Sequence, residues 1–134
     1  MLYDQLLARV YRAVTERHGL TTSAELDAAF AESITAWPDT ADALRRLKRR
    51  LKLAILSNVD RDEFRASAAK LGVEFNAVYT AEDIGSYKPA TAHFAFMLER
   101  MSADFGLGAE DIVQTAQSLF HDHVPASRFG FARA

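Results

Sequence analysis

Apolar residues recur at helical intervals through the first part of the chain. Leu2, Leu6, Val10 and Val14 are each four residues apart, and Gly19 follows shortly after the last of them. Residues at this spacing lie on one side of a helix, and a glycine commonly marks the point where a helix ends. The pattern therefore predicts an amphipathic helix that ends near this glycine.

A second amphipathic segment follows directly. Thr22 and Glu25 have the spacing of a capping box at a helix N-terminus, and Phe30 and Trp37 then contribute to one apolar side. Two consecutive amphipathic helices joined by a short link predict a helical hairpin, whose apolar stripes must be covered by another surface. We assign residues 1–36 to this hairpin.

From residue 37 to residue 134, short apolar runs alternate with helical periodicity. Thr40 can cap a first helix there, and the continuous apolar run Leu53–Leu56 predicts a strand that is buried on both faces. The other predicted elements are, in chain order, a helix capped by Asp60 and ended by Gly72, a strand at Val73–Tyr79, a helix at Thr91–Met101, a strand at Ile112–Ala116 and a helix after Asp122. This alternation predicts an α/β fold, with a Rossmann-like parallel sheet and helices on both of its faces.

Composition and charge exclude several classes of function. The 134 residues are 49% hydrophobic and 25% charged, which is ordinary for a soluble globular protein. A net charge of −2 gives no electrostatic reason to bind nucleic acid or an anionic membrane. The chain has no cysteine, so disulfides and thiolate metal sites are excluded. Together with the lack of a secretory leader pattern after Met1, this predicts a cytoplasmic location.

Polar side chains follow three of the predicted strands, where an open parallel sheet usually carries its sites. Ser57 and Asn58 follow the first strand, Lys88 lies in the loop after the second, and Asp122 follows the third. Each has a simpler interpretation on its own, since Ser57, Asn58 and Asp122 can cap helices and most lysines are solvated. However, Pro89 disfavours the helical conformation at Lys88, which predicts a stiff loop that presents this side chain.

Three segments, Leu53–Asn58, Ala81–Pro89 and Ala116–Asp122, carry a family resemblance through their order and spacing. Together they resemble the haloacid dehalogenase (HAD) superfamily of hydrolases, in its type II 2-haloacid dehalogenase-like branch. The resemblance covers nearly the whole chain. It implies that residues 1–36 are part of a helical cap and that residues 37–134 are an incomplete α/β core.

The resemblance also implies a chemistry. In this family an Asp after the first strand attacks the substrate, and water hydrolyses the resulting ester. Lys88 would offset the negative charge of the nucleophile and leaving group, and Asp122 would hold Lys88 or orient water. Ser57 and Asn58 would hydrogen-bond the nucleophile or the substrate carboxylate. We expect Lys88→Ala to abolish most turnover and to leave folding almost unchanged.

The resemblance adds Tyr87 and Ser118 to Asn58 as candidate substrate-binding residues. Metal-dependent phosphatases of the superfamily have an acidic residue at the position of Ser118, which weakens the case for Mg²⁺. Well-characterised haloacid dehalogenases have Ser and Asn at the positions of Gln117 and Leu119, so the natural substrate stays open. We expect no cofactor, with Mg²⁺ as the alternative.

No Asp-x-x-x-Thr segment after an apolar strand precedes residue 37. The nucleophile is therefore expected outside this chain, which we interpret as truncated at both ends, inactive alone and marginally stable. Three functions stay open: a dehalogenase-like hydrolase, a Mg²⁺-dependent phosphatase-like hydrolase and a non-catalytic fragment. The expected partner is a small anionic molecule, with no nucleic acid or membrane, and the hairpin would also permit a homodimer.

The remaining candidate residues favour structural roles. His121 and His123 flank Asp122, but two histidines without further ligands are weak evidence for a zinc site. His93 is expected on the surface of a helix or in the core, and Trp37 and Phe94 are expected to pack in the interior. A Ser–His–Asp hydrolase is disfavoured because the sequence lacks the Gly-x-Ser-x-Gly nucleophile elbow.

Overall fold

The structure is a computed structural model that describes residues 3–21, 23, 25 and 36–133. The chain separates into two compact units, Met1–Ala54 with Val59–Ala77, and Ile55–Asn58 with Val78–Ala134. The described helices and strands, in chain order, are α1 (Tyr3–Arg17), α2 (Thr40–Lys48), β1 (Ala54–Ser57), α3 (Arg61–Leu71), β2 (Ala77–Thr80), α4 (Ala81–Ile84), α5 (Thr91–Phe105), a 3₁₀ turn (Ala109–Asp111), β3 (Val113–Gln114), a π-helical turn (Leu119–His123), α6 (Val124–Arg128) and β4 (Ala132–Arg133).

Helix α1 forms where the four-residue apolar spacing predicts it. Its apolar stripe is nevertheless largely open, since Leu6, Val10 and Val14 are 40%, 51% and 49% exposed. The predicted second helix of the hairpin falls on residues 22–36, nearly all of which lie outside the described residues. Trp37 is described and is 80% exposed, so the expectation that it packs in the interior is wrong.

The rest of the first unit is organised by helices α2 and α3. Helix α2 begins at Thr40, and Asp39 occupies the cap position without a side-chain hydrogen bond, so the predicted cap is wrong by one residue. Helix α3 begins after Asp60, which occupies the predicted cap position but makes no capping hydrogen bond through its side chain. The helix ends at the predicted Gly72, because the glycine adopts the left-handed conformation with φ 59°. Phe64 of α3 packs edge-on against the ring of Phe75.

In the second unit, strand β3 pairs in parallel with β4, and Val113 is opposite Ala132 in the register. Strands β1 and β2 are hydrogen-bonded neighbours in another two-stranded sheet. The fold is therefore α/β with parallel strands and flanking helices, as the sequence pattern predicts. The core of this unit surrounds α5, whose Phe94 is completely buried and contacts the rings of Phe129 and Phe131.

The strands differ in extent from the predicted ones. Strand β1 is half-buried along its whole length and not buried on both faces. Within the described part of the chain β2 is its one neighbouring strand, so one of its edges has no strand beside it. Strand β3 is two residues long, shorter than the predicted Ile112–Ala116, because its ladder with β4 contains two residue pairs. The predicted strand at Val73–Tyr79 starts later, at Ala77.

The last helical segment also begins earlier than expected. Ser118, not Asp122, is the capping residue, and its hydroxyl accepts a hydrogen bond from the His121 amide. The backbone amide of His123 donates to the Ser118 carbonyl five residues earlier, which gives the turn its π-helical form. Asp122 consequently lies within a helical turn. Among the described residues, no helix has the length and apolar character that crossing a membrane requires.

Candidate active site

The second unit contains a buried ion pair between the loop that follows α4 and the π-helical turn that follows β3. The ammonium Nζ of Lys88 is 2.6 Å from Oδ1 of Asp122, and the two side chains are only 12% and 9% exposed. The same ammonium donates a second hydrogen bond, of 2.8 Å, to the carbonyl oxygen of Leu56 in β1. Lys88 therefore connects the end of β1 to the π-helical turn that carries Asp122.

Asn58 holds the backbone of Lys88. Its Oδ1 accepts a hydrogen bond of 2.6 Å from the Lys88 amide, and its Nδ2 donates to the Lys88 carbonyl at 3.2 Å. A side-chain amide that pairs with both backbone groups of one residue fixes that residue in the manner of a strand neighbour. The position of the ammonium is thus determined at both ends of the Lys88 side chain.

The loop before Lys88 is itself well defined. Thr80, which ends β2, forms a capping box with Asp83 at the start of α4. Gly85 ends α4 in the left-handed conformation, with φ 71°, and its amide donates to the carbonyl of Ala81. The short helix therefore sets the direction in which the chain enters the loop, and the Lys88–Pro89 peptide bond that leaves it is cis.

His93, in the first turn of α5, is completely buried. Its Nε2 is 2.5 Å from the carbonyl oxygen of Ser86, two residues before Lys88. Burial lowers the pKa of His93 below its ordinary value of 6.5, the hydrogen bond to Ser86 acts in the opposite direction, and the Lys88 charge lowers it further. The imidazole is therefore held in its neutral form, which donates from Nε2.

His123 makes an equivalent contact on the side of Asp122. Its Nε2 is 2.7 Å from the carbonyl oxygen of Ala116, also seven residues earlier in the chain. The side chain is buried, with 8% exposure. The hypothesis of a metal site at His121 and His123 is therefore not supported, because His123 is engaged with backbone and His121 lies beside the Ser118 hydroxyl, at 3.1 Å.

Comparisons with known proteins identify the family and the fold of the chain. The family model of the haloacid dehalogenase-like hydrolases matches residues 4–113, which is most of the chain. The chain belongs to this family. No curated protein sequence gives a significant match.

Several solved structures of HAD-type proteins have the same fold. The L-2-haloacid dehalogenase from Xanthobacter autotrophicus with chloropropionic acid covalently bound is 23% identical, with a TM-score of 0.82 over 99% of this chain and 54% of that one. A dehalogenase with an intermediate complex is 22% identical, with a TM-score of 0.86 over 99% of this chain and 59% of that one. The HAD-hydrolase YfnB from Bacillus subtilis, bound to magnesium, is 19% identical, with a TM-score of 0.81 over 99% and 61%. The chain thus spans between half and two thirds of the length of these relatives.

Within this HAD-like fold, the structure brings together three of the six predicted site residues, Lys88, Asp122 and Asn58. Ser57 is the last residue of β1 and is half-buried beside Asn58 in the sequence. The Ser118 hydroxyl lies against His121, within its own turn. The catalytic and substrate-binding roles of all six stay predictions. Both ends of the Asn58 amide pair with the Lys88 backbone, so this side chain also positions that backbone.

Sequence reasoning missed three parts of this HAD site: the Leu56 carbonyl, His93 and His123. A backbone carbonyl carries no signal in a sequence. A histidine seven residues after its carbonyl partner has no recognised motif, so the pattern suggested only a helix-surface or core residue for His93. Its burial is consistent with the second of these, and the contact with Ser86 adds a specific partner.

A Mg²⁺ ion would need anionic oxygen ligands at the candidate site. Within residues 3–21, 23, 25 and 36–133, no group of three His, Cys, Asp or Glu side chains is arranged to hold a metal ion. Asp122, the acidic residue of the candidate site, is paired with the Lys88 ammonium. These residues therefore do not by themselves form a Mg²⁺ site, and we derive no step through a metal.

Proposed function

We propose that this HAD-family chain is part of a hydrolase that resembles the type II 2-haloacid dehalogenases and acts on a small anionic substrate. The observation that carries the proposal is the buried ion pair of Lys88 and Asp122, 2.6 Å apart, at the end of β1. A cation held in this way is suited to an anionic nucleophile that must approach an anionic substrate.

The proposed reaction has two steps. A carboxylate oxygen of an Asp outside these 134 residues forms a bond to the substrate carbon, and the carbon–halogen bond breaks with its electron pair leaving on the halide. Water then adds to the carbonyl carbon of the Asp ester, the bond from that carbon to the substrate oxygen breaks, and the hydroxy acid leaves as its alkoxide, which takes up a proton. The products are the hydroxy acid, the halide and one proton, and the nucleophile is regenerated.

Lys88 supplies the positive charge in this scheme. An ammonium has three N–H donors, of which two are directed to Leu56 and Asp122. The third has no acceptor among the residues that the structure describes, so it is available to the nucleophile or to the departing halide. Asp122 keeps the ammonium in place. Ser57, Tyr87 and Ser118 remain the proposed contacts to substrate.

The relatives support this choice of chemistry. The structure from Xanthobacter autotrophicus contains covalently bound chloropropionic acid, and another dehalogenase structure contains an intermediate. Both are related to this chain through the fold. The proposed substrate class, a small 2-halo acid, follows from that relationship together with the buried cation.

A Mg²⁺-dependent phosphatase-like activity is the second candidate. It is favoured by the structure of YfnB, which contains magnesium and has the same fold. The residue four positions before Asp122 is Ser118, where the metal-dependent members have a carboxylate. Because Mg²⁺ prefers anionic oxygen ligands, a serine at this position makes phosphatase activity a weaker candidate than dehalogenase activity.

The experiment compares two substrates with the full-length protein, including any segment encoded before Met1. Chloride release from 2-chloropropionate and phosphate release from p-nitrophenyl phosphate are each measured with and without EDTA. Chloride release that EDTA does not change supports the proposal. Phosphate release that EDTA abolishes supports the second candidate, and absence of both activities in a protein without an Asp-x-x-x-Thr strand supports a non-catalytic role.

A further inference from the structure

The loop that carries Lys88 is held by hydrogen bonds at three successive residues, Ser86, Tyr87 and Lys88. Asn58 pairs with both backbone groups of Lys88. The Tyr87 carbonyl accepts from the amide of Ala90. The Ser86 carbonyl is held by a side chain, Nε2 of His93. The Asn58 amide and the His93 imidazole belong to other segments of the chain, so both help to determine how the loop sits on the unit.

His93 is an unusual residue for a purely structural contact. It is completely buried, and its Nδ1 has no hydrogen-bond partner among the described residues. A buried polar atom without a partner costs free energy, so packing alone would favour an aliphatic residue here. The benefit that offsets this cost is the hydrogen bond to Ser86 and, through it, the placement of Lys88.

We propose that His93 is a positioning residue for Lys88, whose Nε2–H holds the Ser86 carbonyl and so keeps the Lys88 ammonium between Leu56 and Asp122. The proposal deepens the proposed function, because it concerns the geometry of the same cation. It is independent of which substrate the enzyme takes.

The acceptor of this hydrogen bond defines the tautomer. Ser86 offers a carbonyl oxygen, which can only accept, so Nε2 must carry the proton. Adding a proton to Nδ1 would place an unpaired N–H in the interior and a second positive charge near Lys88. His93 is therefore the Nε2–H tautomer, and its pKa is lowered by burial and then by the Lys88 charge.

Two substitutions separate positioning from packing. His93→Gln keeps an N–H donor near the Nε2 position, whereas His93→Leu keeps an apolar volume and removes the donor. If His93 acts through its donor, Gln preserves the environment of Lys88 and Leu does not. A merely space-filling role predicts the reverse, because Leu is the better residue for an apolar interior.

The measurement is NMR spectroscopy of the Lys88 ammonium in ¹⁵N-lysine-labelled protein at pH 7. We expect hydrogen exchange of this ammonium to be about tenfold faster in His93→Leu and near the wild-type rate in His93→Gln, a factor in keeping with the loss of one hydrogen bond. Equal rates in the wild type and His93→Leu would overturn the proposal.

A second measurement covers the case in which His93→Leu does not fold. The ¹⁵N shifts of the wild-type imidazole report the tautomer directly. A protonated Nε2 and an unprotonated Nδ1 at pH 7, together with a wild-type Lys88 signal in His93→Gln, support the proposal. The Nδ1–H tautomer or an imidazolium would refute it. Because neither readout involves turnover, failure of the hydrolase proposal would leave this result interpretable.

Discussion

The buried pair of Lys88 and Asp122 allows a quantitative prediction about stability. Lys88→Met keeps the length of the side chain but removes its charge, and Asp122 is then left charged and buried. We expect this substitution to lower the free energy of unfolding by about 3–5 kcal/mol, the usual cost of breaking a buried ion pair from one side. Asp122→Asn should lower the free energy of unfolding by a similar amount, because it leaves the Lys88 ammonium buried without a negative partner.

The magnitude follows from distance and burial. Charges 2.6 Å apart attract by about 6 kcal/mol at an effective dielectric constant of about 20, before the cost of removing both groups from water is subtracted. The double variant Lys88→Met/Asp122→Asn has no buried charge. We therefore expect it to be more stable than the sum of the single losses implies, with a coupling energy of about 2–3 kcal/mol.

The assay is urea unfolding followed by circular dichroism at pH 7, on both single variants and the double variant. A matched control is the pair Asp62–Arg65, which has the same separation of 2.6 Å but side chains that are 88% and 76% exposed. Arg65→Met should change stability by less than about 1 kcal/mol.

Two results would refute this reasoning. One is a decrease in the free energy of unfolding for Lys88→Met that is no larger than the decrease for Arg65→Met. The other is strict additivity of Lys88→Met and Asp122→Asn. If the single variants are unfolded without urea, the double variant must regain the folded spectrum. The sequence alone suggested that losing Lys88 would hardly affect folding, and the burial of its partner is the reason for the revised expectation.

Three further predictions concern neighbouring groups. Asn58→Ala should lower the free energy of unfolding by about 1–3 kcal/mol, because both backbone groups of Lys88 lose their partner. The control Asn76→Ala removes an exposed hydrogen bond to the Leu53 amide. It should lower the free energy of unfolding by less in the same urea titration. Tyr79→Phe should raise the thermal midpoint, since the Tyr79 hydroxyl is buried without a partner among the described residues and removing it should stabilise by about 1 kcal/mol. The pKa of His93 in the folded protein is lowered from 6.5, so the unfolded chain binds the proton at a higher pH than the folded chain does. Stability should therefore fall as the pH decreases below 6.5 and level off at the lower folded pKa. His93→Gln should lack this pH dependence, and a variant with the same dependence of stability on pH as the wild type would contradict the prediction.

The helices of this fold can be predicted from the sequence, because the residues that end a helix lie within or next to it. Gly72 ends α3 where predicted, since the left-handed conformation favours glycine and closes the last turn. The predicted strand at Ile112–Ala116 is longer than β3 because an apolar run records burial, whereas a strand also needs a hydrogen-bonding partner, and β4 offers two residues. The burial of an apolar stripe also depends on residues far away in the sequence, so the pattern that predicts α1 does not predict that Val10 is exposed.

In the candidate site, too, the positions of residues along the chain could be predicted, whereas the contacts between them could not. The positions of Lys88 and Asp122 after strands follow from the alternation of strands and helices, and the family resemblance suggests that Asp122 holds Lys88. The contacts that place them do not follow, because Leu56 acts through its backbone and His93 through a carbonyl seven residues earlier. Asn58 was expected to face substrate, whereas its amide is directed to the Lys88 backbone.

We propose that Lys88 supplies the positive charge for hydrolysis by the full-length HAD-family protein. This role is tested most directly by chloride release from 2-chloropropionate with the full-length protein and its Lys88→Met variant, with the exposed Lys70→Met as the control. We predict that Lys88→Met lowers kcat by about 10²–10³-fold, the typical effect of removing one electrostatic group from an active site, and that Lys70→Met does not. Chloride release by Lys88→Met at the wild-type rate would contradict this role of Lys88.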